Sequence, residues 1–180
     1  AHSDDVPPEV DGLTFEHGIA FFGELKYPAD FTHFEYLNPD APKGGRMVLP
    51  FSTPFDTLAP MSDSGNGPPS GYHFRNDTLI VRGGDELSAF YGRLSDGIAI
   101  SEDQSTLYFR IHPDARWDDG APMTAHDVVF TFELISSGVG MGFFLRFIEE
   151  ISAIDDRYVA FHLNVPLTHD HITLIQYIPI

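Results

Sequence analysis

The sequence predicts an α/β protein, because strand-like and helix-like patterns alternate along its second half. Residues 106–111 alternate in polarity, which places their apolar side chains on one face of a strand. Residues 124–135 repeat apolar side chains at helical spacing after a polar start. Residues 151–154 and 158–163 form two more strand-like runs on either side of a polar turn. We therefore expect the second half of the chain to contain both strands and helices.

The composition favours a globular, strongly acidic protein. The chain has 180 residues, 42% of them hydrophobic, and 10 basic residues stand against 27 acidic ones, giving a net charge of −17. Such a surface repels phosphate backbones and anionic headgroups, so we expect no nucleic-acid partner. Because the sequence contains no cysteine, we expect no disulfide, no thiolate metal site and no cysteine-linked lipid anchor. The small Ala1 fits a mature protein whose export signal has been removed, although a cytoplasmic protein fits composition equally well.

The first half predicts fewer regular elements. Residues 1–12 read as a loose acidic tail, and residues 17–45 as an irregular wrapping segment in which aromatics alternate with turn residues. Residues 46–51 predict a short strand, and Pro50 and Pro54 favour an edge position. Residues after a polar loop at 62–71 predict a short helix over 72–81, a further helical turn before Tyr91 and a strand over 94–100. The expected anchors of the wrapping segment are its aromatic side chains: Phe21, Phe22, Phe31, Phe34 and Tyr36.

The second half carries clearer boundaries. A polar turn at 101–105 separates two strands, and Thr124 with Asp127 predicts a capping-box-like helix start. The buried face of that helix is expected to hold Val128, Val129, Phe132 and Ile135. A second short helix is predicted over 143–149, a hairpin turn at 155–156, and a last helix from Thr168 through Tyr177. The apolar stretch from Ile172 to Ile180 leads us to expect a truncated chain.

Two blocks of the sequence resemble a known family. The first contains Leu-x-Phe-x-Ile at 107–111, Trp117-Asp118-Asp119-Gly120, and Thr124-Ala125-x-Asp127-Val128-x-Phe130. In order and spacing this block resembles the family 5 extracellular solute-binding proteins, the peptide- and nickel-binding receptors of ABC importers. The second block, from His17-Gly18 to Pro42-Lys43-Gly44-Gly45, is similar to the subgroup associated with oligopeptide and microcin C uptake. The resemblance covers residues 15–180 and only the first third of a family member.

The resemblance implies a fold and a division of the chain. The fold is α/β, a mixed-sheet, periplasmic binding protein type II-like architecture of two lobes, of which this chain holds the N-terminal portion of lobe I plus the extra subdomain. Residues 1–16 would be a loose tail, 17–56 the start of lobe I, and 57–180 the extra α+β subdomain. It further implies a periplasmic location, an oligopeptide ligand, an ABC importer permease as partner, and the remaining two thirds of the receptor chain.

The resemblance also implies a binding site. Family members hold an extended peptide through its main chain. The exit of the first strand fits this role, because Pro54 interrupts the strand pattern and leaves main-chain groups for a ligand. The candidate ligand-binding residues are Phe51, Ser52, Thr53 and Phe55, and an ordinary strand end is the alternative interpretation. Trp117 and Asp127 are expected to be structural, the first packing the turn against the helix and the second capping it.

No catalytic signature is present, so neither enzymatic activity nor a cofactor is predicted. The sequence lacks HExxH, GxSxG, a glycine-rich phosphate loop and zinc-ligand spacing. One rival hypothesis is a metal carrier or metal-dependent enzyme using His169-Asp170-His171, with His162 nearby. Residues at i and i+2 share a face in a strand but not in a helix, and a helix start is expected there. A second rival is a binding module that assembles with other chains through an exposed apolar C-terminal segment.

Overall fold

The computed structural model describes residues 6–46, 48, 54–56, 76–136 and 141–180. Those parts contain seven strands, two α-helices and one 3₁₀ helix. The strands are β1 Gly18–Ala20, β2 Ile80–Arg82, β3 Ala89–Gly92, β4 Ser95–Ile100, β5 Thr106–Ile111, β6 Ile148–Ala153 and β7 Tyr158–Leu163; the helices are α1 Ala125–Ser136, the 3₁₀ helix Met141–Leu145 and α2 His169–Ile175. The predicted α/β class is confirmed. No helix in the described ranges is long and apolar enough to cross a bilayer.

A four-stranded antiparallel sheet in the order β4-β5-β7-β6 forms the larger layer. On β5 the alternating residues Leu107, Phe109 and Ile111 are buried, as predicted. Helix α1 packs on β6 and β7, and the ring of Phe132 meets Phe161 edge-on at 4.9 Å. Phe161 also meets Phe109 edge-on at 5.3 Å. These three rings, which we call the aromatic stack, join the helix to the sheet within the main hydrophobic core.

Both helix starts were predicted correctly in position, and each is held by side chains. At α1 the Asp127 carboxylate accepts hydrogen bonds from the Thr124 backbone N–H (2.7 Å) and hydroxyl (3.0 Å). The Thr124 hydroxyl thus donates to Asp127, where a full capping box would have it accept from the backbone. At α2 the box is complete, because the Thr168 hydroxyl accepts from the His171 N–H and the His171 ring accepts from the Thr168 N–H.

A smaller three-stranded antiparallel sheet has the order β1-β3-β2 and pairs the start of the chain with residues far along it. Its central strand is buried: Ala89, Phe90 and Tyr91 are inaccessible to solvent. Gly18 lies so close to this strand that a Cβ atom there would stand 2.7 Å from the Phe90 carbonyl oxygen. A glycine at this position is therefore required for β1 to pair with β3.

The same sheet corrects two predictions. The prediction of a helix over 72–81 is wrong in the part that the structure describes, because Ile80–Arg82 is strand β2. The helical turn expected before Tyr91 is also wrong, because that stretch is strand β3. Both strands are very short: β2 is formed by pairing with the neighbouring β3, and β3 also pairs with the distant β1, and this pairing outweighs the local preference of their residues. The expected strand at 46–51 and the loop at 62–71 lie largely or wholly outside the described residues.

The two ends of the chain also differ from expectation. Val10 is buried, Phe15 meets Tyr158 edge-on at 5.4 Å, and Glu16 pairs with Ile98 through two main-chain hydrogen bonds. Residues 10–16 are therefore anchored where a loose tail was expected. At the other end Ile178 and Ile180 are buried in the main core, so the exposed apolar C-terminal segment is not observed. The helix expected over 143–149 is replaced by the 3₁₀ helix and the start of β6.

Candidate functional site

The predicted peptide-binding segment is only partly described. Phe51, Ser52 and Thr53 lie outside the described residues, and their role stays a prediction. Phe55 is described and is 47% exposed, with Pro54 and Asp56 also exposed. The described structure does show how the chain that leads toward this segment, residues 6–46, is held against the rest of the molecule. We call these residues the N-terminal segment.

An aromatic cluster attaches the N-terminal segment to β3. The cluster comprises Tyr27, Phe31, Phe34 and Tyr91, and it is separate from the main core. The Tyr91 ring lies at its centre, with centroid distances of 5.2 Å to Phe31 and 5.6 Å to both Tyr27 and Phe34. Edge-on and tilted arrangements of this kind stabilise aromatic contacts beyond the area they bury. Phe31 and Phe34 are among the anchors that the sequence predicts, whereas Tyr91 was not predicted.

A polar network covers this cluster. The Tyr91 hydroxyl donates to Glu86 Oε2 at 2.6 Å and accepts from the Tyr27 N–H at 3.2 Å. The Tyr27 hydroxyl donates to Asp85 Oδ2 at 2.6 Å. The Lys26 ammonium forms ion pairs with Asp85 at 2.6 Å and Glu35 at 2.7 Å. The network therefore joins residues 26–35 to the turn between β2 and β3 through both neutral and charged hydrogen bonds.

The network shifts the ionisation of its members. Burial, reinforced by the hydrogen bond to Glu86, raises the pKa of Tyr91 to about 12. The pKa of Tyr27 is raised by burial and by its bond to Asp85, and the pKa of Lys26 is raised by its contacts with Asp85 and Glu35. The Lys26 ammonium and the Tyr27 hydroxyl hold the pKa of Asp85 below its usual range. Each shift favours the protonation state that the network requires at neutral pH.

These shifts predict release of the N-terminal segment in alkali. Tyr91 keeps its proton more tightly in the folded state, so its contribution is full below pH ~10 and falls as the pH rises toward ~12. Tyr27 and Lys26 act in the same direction. Near-UV circular dichroism across this range should report loss of aromatic packing before the four-stranded sheet unfolds. The Tyr91→Phe variant should be less stable than the wild type at neutral pH, and its stability should fall less between pH ~10 and ~12. An identical dependence of stability on alkaline pH in both proteins would contradict this role of the Tyr91 hydroxyl.

The motif loop at 116–123 has the turn geometry that the sequence predicts. Gly120 has φ +85°, a conformation that favours glycine. The Gly120 N–H donates to the Trp117 carbonyl at 2.8 Å, and the Trp117 N–H donates to the Ala121 carbonyl at 2.9 Å. The Asp119 carboxylate accepts from the Ala121 N–H at 2.8 Å. Trp117 itself is 41% exposed, so the indole is not a core residue.

His169 and His171 each pack against a different aromatic ring and are not paired as metal ligands. His169 lies edge-on against Phe21 at 5.6 Å, and His171 is stacked on Phe147 at 4.1 Å. The His171 Nδ1 already accepts from the Thr168 N–H, and burial lowers the pKa of His171 despite the nearby Asp170. Within the described ranges no group of three or more histidine, aspartate or glutamate side chains is arranged to hold a metal ion. The residues thus serve the start of α2.

Comparison with known proteins places this geometry in a family. The family described as bacterial extracellular solute-binding proteins, family 5 (middle), matches residues 89–180, just over half of the chain. The match begins at β3 and includes the motif loop, α1 and the β6–β7 hairpin. The aromatic cluster therefore lies at its border, with Tyr91 inside and Tyr27, Phe31 and Phe34 outside.

Relatives extend the similarity toward the N-terminus. A probable peptide-binding protein, YejA, from Agrobacterium fabrum is 46% identical over 116 residues, which is 64% of this chain and 19% of that protein. A peptidoglycan-binding protein, YepA, from the same organism is 35% identical over 157 residues, covering 82% of this chain and 26% of that protein. The chain thus spans about a fifth to a quarter of the length of these relatives.

A solved structure supports the fold. The periplasmic oligopeptide-binding protein of an oligopeptide ABC transporter from Thermotoga maritima superposes with a TM-score of 0.50 at 24% identity, covering 58% of this chain and 20% of that one. The family match over residues 89–180 confirms the resemblance that the motif loop and the capped helix indicated. The chain belongs to family 5 of the bacterial extracellular solute-binding proteins and has the architecture of part of a type II-like periplasmic binding protein.

Proposed function

We propose that this chain is part of the solute-binding component of an ABC importer, which captures extended oligopeptides or peptide-like compounds in the periplasm. Family membership across residues 89–180 carries the proposal. The 46% identity to a protein named as a probable peptide-binding protein supports peptides as the ligand class. In this role the protein binds and releases its cargo and breaks no bond.

The proposed mechanism is closure of two lobes on the ligand. Residues 17–56 would begin lobe I and residues 57–180 would form the extra subdomain, with residues 1–16 preceding them. The aromatic cluster supports a rigid connection between these parts, because Tyr27 belongs to the first and Tyr91 to the second. The remaining two thirds of a receptor chain would supply the rest of lobe I and lobe II. Hinge closure would then present the loaded receptor to the importer's permease.

The proposed contact with the ligand is main-chain pairing at residues 51–55. Hydrogen bonds from Ser52 and Thr53 main-chain groups would hold a peptide independently of its side chains, and Phe51 and Phe55 would flank it. A site of this type tolerates varied side chains, because its affinity comes from the peptide backbone. It also depends on the presence of each donor N–H group.

A pair of substitutions at Ser52 tests this contact. Ser52→Pro removes a main-chain donor and should abolish peptide binding, whereas Ser52→Ala keeps the donor and should bind within about threefold of the wild type. Short peptides and their N-methylated analogues can be titrated by NMR, with circular dichroism as the folding control. The isolated 180-residue chain should bind with a Kd weaker than about 1 µM, because most of a receptor is needed for enclosure.

Two outcomes would contradict the proposal. If Ser52→Pro and Ser52→Ala bind peptides equally well, the proposed main-chain contact at Ser52 is ruled out. Sub-micromolar binding of peptides by the isolated chain would contradict the proposal that it acts as one part of a receptor. Peptides derived from peptidoglycan belong in the same titration, because the relative YepA is named a peptidoglycan-binding protein. Selective binding of those peptides would narrow the ligand class.

A further inference from the structure

A cavity of about 420 Å³ opens beside the motif loop. Its apolar lining comes from Leu94, Met123 and Ile180, three residues that also pack in or against the main core. Met123 and Ile180 are buried, so this part of the cavity is formed by side chains that already pack in the protein interior. The size and the mixed lining are typical of small-ligand and side-chain pockets.

Trp117 forms one wall of the cavity. It is 41% exposed, although the hydrogen bonds of the Gly120 turn hold its backbone firmly. A large indole ring that a rigid turn keeps partly in solvent offers an apolar and electron-rich surface to a ligand. Indole faces attract ammonium and guanidinium groups more strongly than other aromatic rings do.

The charges at the cavity favour a cation. Asp77 is neutralised by its ion pair with Arg93, and Arg116 donates to the Pro113 and Ala115 carbonyls at 3.0 and 2.9 Å. Asp118 and Asp119 follow Trp117 on the loop and also line the cavity. Asp119 accepts one main-chain hydrogen bond, whereas for Asp118 no hydrogen-bond or ion-pair partner is found among the described residues. Among the described loop residues that line the cavity, two carboxylates, those of Asp118 and Asp119, therefore outnumber one guanidinium, that of Arg116.

We propose that this cavity binds the side chain of a lysine or arginine residue of a peptide. The alkyl stem would lie on the apolar floor, and the cationic head would meet Trp117 and the Asp118 carboxylate. Long basic side chains bind in this way because stem and head have opposite preferences. The inference rests on the proposed function for its peptide ligand. The described residues that line the cavity lie outside the segment 51–55, and the two contacts are tested by different substitutions.

The fluorescence of Trp117 provides a direct test, because it is the only tryptophan in the sequence. The 180-residue chain is titrated with the N-acetyl methylamides of lysine, arginine, norleucine and glutamate. We expect saturable changes in emission with the lysine and arginine compounds up to about 10 mM, and binding at least about threefold weaker with norleucine. Added salt should weaken the lysine response more than the norleucine response.

A matched pair of variants tests the charge. Asp118→Asn should weaken lysine binding by about threefold or more, whereas Glu102→Gln, which removes a charge in the turn at 101–105, should leave it unchanged. Equal affinity for lysine and norleucine, no saturable response, or an unaffected Asp118→Asn variant would overturn the proposal. If the chain binds peptides that lack basic residues but does not respond to the lysine compound, the cavity is not a site for basic side chains. The proposed main-chain contact would then still stand.

Discussion

Replacing Phe161 by alanine is expected to lower the free energy of unfolding by about 3–5 kcal/mol. The Phe161 side chain is fully buried on β7, and its ring contacts Phe109 on β5 and Phe132 on α1. Its removal would leave a cavity at the point where the helix meets the four-stranded sheet. A loss of this size is a large part of the 5–15 kcal/mol that ordinarily stabilises a domain.

Urea denaturation followed by far-UV circular dichroism measures this effect. The matched control is Phe22→Ala, because Phe22 is 77% exposed and the same change there should alter stability by no more than about 0.5 kcal/mol. If Phe161→Ala fails to fold, Phe161→Leu should fold with a smaller loss, since it retains more of the buried volume. Equal midpoints for Phe161→Ala and Phe22→Ala would show that the aromatic stack is not central to the core.

Replacing Tyr91 by alanine is expected to cost a similar ~3–5 kcal/mol, but its effect should be local. The substitution removes the central ring of the aromatic cluster and the hydroxyl that joins Glu86 to the Tyr27 backbone. The N-terminal segment should then open while the four-stranded sheet persists. Segments held by few buried contacts commonly open independently of the core.

Amide hydrogen exchange separates the two outcomes. In Tyr91→Ala, the amides of Phe21 and Glu35, bonded to the Ser88 carbonyl and the Tyr27 hydroxyl, should lose protection, whereas amides of β7 should keep it. Tyr91→Phe retains the ring and removes only the hydroxyl, so a smaller loss of about 1–3 kcal/mol is expected. Uniform loss of protection across both sheets would contradict independent opening and would place the aromatic cluster in one cooperative unit with the core.

The sequence predicted the elements whose causes are local. Alternation in β5, the Asp155 turn of the β6–β7 hairpin and the caps at Thr124 and Thr168 all act within a few residues. The Asp155 carboxylate, for example, accepts from the N–H groups of Arg157 and Tyr158 at 2.7 and 2.8 Å. Patterns of this kind can be recognised from a few neighbouring residues without knowledge of their tertiary partners.

The small sheet escaped prediction because its strands are short and because β1, one of the two partners of β3, lies far away in sequence. Ile80–Arg82 and Ala89–Gly92 are too short to show a period, and β3 is buried on both faces, so its polarity does not alternate. Tyr91 could be recognised only from its partners, Tyr27, Phe31 and Phe34, far away in sequence. The candidate site was also only partly predictable from the sequence. The family resemblance indicated a binding role, whereas the cavity at Trp117 is formed by side chains from separate parts of the chain.

The pairing of β1 with β3 also governs the order in which the chain can fold. Gly18 pairs with Tyr91, so β1 has no partner until a long intervening stretch has been synthesised and brought back. Contacts so remote in sequence form slowly, because closing the loop costs entropy before any pairing compensates. Hairpins such as β4–β5 and β6–β7 face no such delay. During biogenesis, then, β1 would emerge well before its partner β3 and would be among the last strands to pair, so proteases would have long access to it.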